Sequence, residues 1–122
     1  MTNTSEANAK LARTWLEIFN AHRADALAAL YAPDATHTSP KLRALHPQTA
    51  GKLHGRAALE EWWAGAMKRL PGLRYEELSV TASDERVFLE YLRHAPGEPS
   101  YPVAEVFEVR AGKIFASRVY HG

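Results

Sequence analysis

The sequence predicts a single α+β domain in which helices come first and cover one face of a curved antiparallel sheet. Apolar residues recur at helical spacing up to about residue 70. From about residue 73 the pattern changes to period-two alternation, broken by the short turn-like stretches "SDE", "APGEPS" and "RAGK". Such segregation of helices from strands is the mark of an α+β architecture. A chain of 122 residues is the size of one domain, and buries about two-thirds of the surface its unfolded form exposes.

Taken in order, residues 5–20 carry Leu11, Trp15, Ile18 and Phe19 on one helical stripe, widened by Leu16. Asn3 with Glu6 resembles a capping box, with Thr4 and Ser5 as competing caps. A shorter helix is expected from Asp25, as its cap, through "ALAALY" to the stop at Pro33. "ATHTS", residues 35–39, reads as a short strand. Residues 40–54 show no clear period and read as a long loop, a functional flap or mobile segment. The third helix covers residues 55–70, with Leu59, Trp62, Trp63, Ala66, Met67 and Leu70 as a broad apolar face, and ends at Pro71–Gly72. Four strands follow as a meander at 73–82, 86–94, 101–109 and 114–121.

Alternation assigns the faces of the last three strands. Odd positions are the more apolar, with Val87, Leu89 and Tyr91, then Val103, Phe107 and Val109, then Phe115 and Val119, and are placed inside. Even positions, Ile114 among them, are placed on the outer face, where Phe88, Leu92, Val106 and Tyr120 suggest a surface that meets a partner subunit. The inner set has polar exceptions: Glu105, Ser117 and His121, joined by His37 and Ser39 if the first strand keeps the same parity. A carboxylate among Val and Phe must be hydrogen-bonded, paired with a cation or protonated. Polar groups converging in an apolar surround outline a small-molecule site.

Composition removes several classes. Lys and Arg number 15 against 14 Asp and Glu, for a net charge of +1, and they are scattered, so neither nucleic acid nor membrane is an expected partner. With no cysteine, thiolate metal sites and disulfides are excluded. The six histidines show no paired ligand spacing, and no metal is expected. No phosphate-binding glycine loop or nucleophile elbow occurs. The polar start "MTNTSEANAK" and the lack of an apolar run of ~20 residues point to a cytoplasmic protein.

The stretches "FNAHRADALAALYAPDATHTSP", "GRAALEEWWAGAM" and "VAEVFEVRAGKIFASRVYHG" resemble the nuclear transport factor 2-like superfamily, particularly its SnoaL-like branch, over nearly the whole chain. The resemblance implies a cone, in which a strongly bent mixed sheet wraps three helices around a deep pocket, and dimers that pair through the sheet. Its members include steroid isomerases, epoxide hydrolases, polyketide cyclases, dehydratases and non-enzymatic binders, and fold alone does not choose among them. Against ketosteroid isomerase, the carboxylate base falls on Ser39, the donor tyrosine on Trp15, the protonated aspartate on Glu105 and a supporting tyrosine on Trp63. A serine hydroxyl is no base near neutral pH without activation, so that route to steroid isomerisation is not expected. The resemblance leaves Trp15 N–H and Glu105 as donors aimed into a cavity.

The expected catalytic groups are therefore Glu105, with His37 as the replacement base and His121 nearer the mouth. The expected ligand wall is Trp15, Phe19, Ser39, Trp63 and Met67, with Leu89, Tyr91, Phe107, Ser117 and Val119 from the sheet. Plain core packing also accounts for the aromatic stripes, and a buried ion pair with His37 or Arg56 also accounts for Glu105. Two functions follow: an isomerase, cyclase or hydratase acting by acid–base chemistry on a hydrophobic carbonyl or cyclic compound, with no cofactor, or a non-catalytic ligand- or protein-binding dimerisation module.

Overall fold

The computed structural model describes residues 4–121; the capping role considered for Asn3 falls outside them. The elements run α1 (Thr4–Asn20), α2 (Ala24–Ala28), β1 (Tyr31–Thr38), α3 (Pro40–Leu45), a 3₁₀ turn (Pro47–Thr49), β2 (Lys52–His54), α4 (Arg56–Arg69), β3 (Arg74–Ala82), β4 (Arg86–His94), β5 (Tyr101–Arg110) and β6 (Lys113–His121). The strands form one six-stranded sheet in the order β2-β1-β6-β5-β4-β3. Every pairing is antiparallel except β1 with β6. The fold is thus α+β with a curved, unclosed mixed sheet.

The core lies between that sheet and the buried stripes of the helices: Ala12, Trp15, Leu16 and Phe19 from α1, and Leu59, Trp63 and Met67 from α4. Two side chains set the helices against the sheet. Asn20 donates from Nδ2 to the Tyr75 carbonyl and accepts from the Tyr75 N–H, both at 2.8 Å, which pins the end of α1 to β3. Arg56 donates to the Tyr31 carbonyl from Nε at 3.1 Å and Nη2 at 2.6 Å, which pins the start of α4 to β1.

Several expectations are corrected. Residues 40–54 are not a loop. Ser39 caps α3, accepting from the Lys41 N–H at 3.2 Å with Pro40 in the first turn, and the chain then returns to pair Lys52–His54 with β1. Asp25 lies inside α2 and pairs with Arg23 at 3.7 Å; it does not cap the helix. At the start of β6 the register slips between Glu108 and Val109, so Val109 faces Ile114 and Glu108 faces Ala116. Phe115 is the extra residue of this bulge. Ile114 is therefore fully buried, while Phe115 turns outward under the Arg110 guanidinium, reversing the expected parity. A second bulge, at Leu78, interrupts β3 between Glu77 and Ser79. On the outer face Phe88 and Tyr120 are exposed, 43% and 52%, but Val106 between Phe88 and Arg118 is only 5% exposed, so that face is less open than its pattern suggests.

Candidate functional site

The concave side of the sheet, α1, α3 and α4 enclose a cavity of about 360 Å³. Pairing arranges its sheet wall in tiers. His37 lies beside Ser117; one tier further out, Glu105 lies between Leu89 and Val119; then Val103 lies between Tyr91 and His121; outermost, Arg93 lies beside Tyr101. Each tier is two residues, roughly 7 Å, along the strands.

Glu105 is 1% exposed and lines the cavity. Its Oε1 accepts from Tyr91 Oη at 2.9 Å, and its Oε2 is buried with no protein partner among the described residues. Burial raises its pKa from 4.5 to about 8, with the Tyr91 hydrogen bond opposing. The carboxyl is thus neutral at pH 7, with its open oxygen available to hold the proton. No cation among the described residues meets it: Arg56 is engaged with the Tyr31 carbonyl, and His37 points its Nδ1 to Ser117.

His37 ends a chain of hydrogen bonds behind the cavity wall. Trp15 Nε1–H donates to Tyr31 Oη at 3.1 Å, Tyr31 Oη–H donates to Ser117 Oγ at 3.0 Å, and Ser117 Oγ lies 2.7 Å from His37 Nδ1. Indole N–H can only donate, so Tyr31 Oη accepts from Trp15 and donates onward to Ser117. With Ser117 donating in turn, His37 Nδ1 accepts and the neutral ring carries its hydrogen on Nε2, which has no protein partner among the described residues, on a side chain that lines the cavity. Burial lowers the His37 pKa from 6.5 to about 4, so the ring is neutral at pH 7. Nitrogen-15 NMR at pH 7 is expected to show His37 as the Nε2–H tautomer, with protonation near pH 4; an Nδ1–H signal would reverse this reading.

Aromatic rings form the apolar wall. Tyr75 stacks on Phe19 at 4.0 Å and on Tyr91 at 4.1 Å, and Trp15 stacks on Phe19 at 5.3 Å. Trp63 meets Tyr31 at 4.9 Å and presents its edge to His37 at 5.5 Å. His121 sits at the mouth, and burial, then the Lys41 and Arg93 cations, lower its pKa.

A family model described as the SnoaL-like domain matches residues 12–117. The chain belongs to the SnoaL-like family. Similar solved structures include a SnoaL-like protein of unknown function from Burkholderia thailandensis, at 22% identity and TM-score 0.83, covering 100% of this chain and 97% of the other. A Kribbella flavida protein, proposed in its own name to be a ketosteroid isomerase, matches at 19% identity and TM-score 0.78, covering 97% and 79%. A Sinorhizobium meliloti protein, proposed likewise to be a polyketide cyclase, matches at 18% and TM-score 0.75, covering 91% and 94%. These likenesses establish the fold. The comparison with curated proteins found no match.

Within this SnoaL-like cavity the expected residues divide. Trp15, Phe19, Ser39, Trp63, Tyr91 and Val119 line it, as do His37, Glu105 and His121. Met67, Leu89 and Phe107 belong to the packed core, and Ser117 is fully buried against His37 and Tyr31 without lining the cavity. Trp15 does not donate into the cavity, because Tyr31 takes its N–H. Ser39 caps α3 with its hydroxyl. Tyr75 and Arg93 line the cavity and were not anticipated. Arg93 continues the odd positions of β4 beyond Tyr91, where the same alternation reveals it. No group of three or more side chains suited to holding a metal occurs among the described residues. No helix among them is long and apolar enough to cross a membrane.

Proposed function

We propose that this SnoaL-like protein moves a proton on a small hydrophobic carbonyl or cyclic compound, with Glu105 as base and acid and His37 as hydrogen-bond donor. The observation that carries the proposal is the Glu105 carboxyl. It is buried in an apolar cavity, held at one oxygen by Tyr91 and unpartnered at the other. A carboxyl whose pKa stands near 8 is a far stronger base when ionised than an exposed one, and remains usefully populated in that form near neutrality. His37 and Glu105 lie on the strands either side of β6, two strand spacings (~10 Å) across the sheet and one tier (~7 Å) along it, leaving room for a small molecule between them.

In this reading His37 Nε2–H donates to the substrate carbonyl oxygen while Glu105 carboxylate takes a proton from the adjacent carbon. The C–H electron pair moves into the new C=C bond, and the carbonyl π pair moves onto oxygen. Glu105 then returns the proton at the same or a conjugated carbon. Neutral imidazole serves better than imidazolium here, because its weak acidity matches that of an enol. Isomerisation and cyclisation share this proton transfer; hydration of a conjugated bond reaches the same enolate.

The test is deuterium uptake at carbons beside the carbonyl, followed by mass spectrometry, for a panel of one- and two-ring enolisable ketones. Uptake is expected to exceed the buffer rate, to rise with pH toward a plateau above about 8, and to fall ~10²–10⁴-fold in Glu105→Gln. Unchanged uptake in that variant, or no uptake for ketones that bind the cavity, overturns the proposal.

A second reading, a non-catalytic module that dimerises through the outer face of the sheet, draws support from exposed Phe88 and Tyr120. It predicts a dimer by sedimentation, reduced to monomer by Phe88→Lys, with no turnover. A monomeric native protein argues against it.

A further inference from the structure

The charges around the cavity are distributed unevenly. Glu105 is at depth among aromatic rings, and Lys41, Arg69 and Arg93 lie toward the opening with the single acid Glu98. Arg93 is buried, with its side chain 8% exposed, and its Nη1 donates to Glu98 Oε1 at 3.0 Å. Guanidinium offers five N–H groups, and this is the one acceptor for them among the described residues. Its plane lies 5.4 Å from the Tyr101 ring, which holds the head in place. Lys41 and Arg69 have no ion-pair partner among the described residues. Arg69 is held over the Trp62 ring at 5.6 Å. The depressed pKa of His121 reflects Lys41 and Arg93 nearby, after burial.

Resting on the acid–base reading above, we propose that the ligand is an amphipathic anion. Its apolar carbonyl-bearing body lies against Tyr75, Tyr91 and Trp63, and its carboxylate sits at the mouth on Arg93 and Lys41. The buried charged arginine is the reason to choose a carboxylate. A planar fork whose N–H groups are not all taken by Glu98 matches two carboxylate oxygens, a contact a neutral ligand cannot supply in charge-assisted form. Orientation follows from the opposite end. The surround of Glu105 already disfavours one negative charge, so a second belongs at the mouth and the carbonyl goes inward. Arg93 lies four residues along the strands from the Glu105 tier, about 13 Å at the ordinary rise. The cavity volume of about 360 Å³ is near the lower end of the ~300–1,000 Å³ usual for small-molecule sites, and suits one or two rings with a short acid arm.

The experiment compares 4-oxo-4-phenylbutanoate with its methyl ester, titrated into the native protein and followed by tryptophan fluorescence. The acid is expected to bind at least 10-fold more tightly than the ester, and the ratio to shrink as salt rises from 20 to 300 mM. Arg93→Gln is expected to reduce the ratio below 3-fold, and Lys41→Gln to reduce it about 2–4-fold. Because Arg93 is buried and its replacement can fail to fold, exposed Lys41 provides the second measurement. An unaltered ratio in Lys41→Gln overturns the proposal. Equal binding of acid and ester, or tighter binding of ester, overturns this inference and leaves the apolar acid–base cavity standing. Binding of neither removes both.

Discussion

Replacing Glu105 by glutamine is expected to raise the stability of the fold at pH 7 by about 3 kcal/mol while lowering deuterium uptake ~10²–10⁴-fold. Glutamine preserves the acceptor for Tyr91 and a donor at the open position, so the comparison isolates ionisation. Glu105 is neutral in the folded chain up to about pH 8 and ionises in the unfolded chain from 4.5. Between those values the folded state holds one proton more, and stability falls as pH rises, by ~1.4 kcal/mol per unit. The Glu105 contribution is thus whole below pH 4.5 and lost by 8. His37 acts in the opposite sense. Its pKa falls from 6.5 to about 4 on folding, so its contribution is whole above 6.5 and lost as pH falls to 4. The two slopes offset each other between 4.5 and 6.5. Urea unfolding is therefore expected to show a plateau there and a decline of about 2 kcal/mol from 6.5 to 8. Glu105→Gln removes that decline, and a native profile flat to pH 8 would show that Glu105 ionises normally.

Tyr31→Phe is expected to act in the reverse direction, destabilising the fold by about 2–4 kcal/mol. Tyr31 is fully buried and is the middle of the chain from Trp15 to Ser117. Removing its hydroxyl loses two hydrogen bonds and leaves the Trp15 N–H, a pure donor, unpaired in a dry interior. That exceeds the ~1 kcal/mol net value of a typical hydrogen bond, because the orphaned partner retains its desolvation cost. Ser117→Ala made in the same background separates the causes. A coupling of at least ~1 kcal/mol between the two substitutions marks a connected network, whereas additivity would mean that the hydroxyls act independently.

The legibility of this cavity in the sequence depended on where strand alternation runs unbroken. Glu105 was visible because Val103, Phe107 and Val109 share its parity and leave it as the one acid on a buried face. His37 was visible for the same reason beside Ala35. Tyr75 was not. The bulge at Leu78 shifts β3, so that Tyr75 faces inward at an odd position and Val80 and Ala82 at even ones, as their partners Arg93, Leu89 and Val87 require. The Phe115 bulge hid Ile114 in the same way. α3 was hidden by brevity, since six residues give too few apolar positions for a period; its Ser39–Pro40 start was the available sign. Directions of hydrogen bonds lay beyond any pattern. Residues 15, 31, 37 and 117 meet only through tertiary structure, and their meeting is what the proposed donor role of His37 rests on.

The same Leu78 bulge has a consequence outside the cavity. β3 is an edge strand of the sheet, and an edge offers backbone groups on which another polypeptide can template; at Tyr75 both are already taken by Asn20. The extra residue kinks that margin midway, and Glu76 and Glu77 set charge immediately before it. A foreign strand pairing along this edge meets Asn20 before the kink and cannot run straight through it. An open-ended fold is thereby guarded against fibril-like stacking by an irregularity in one strand.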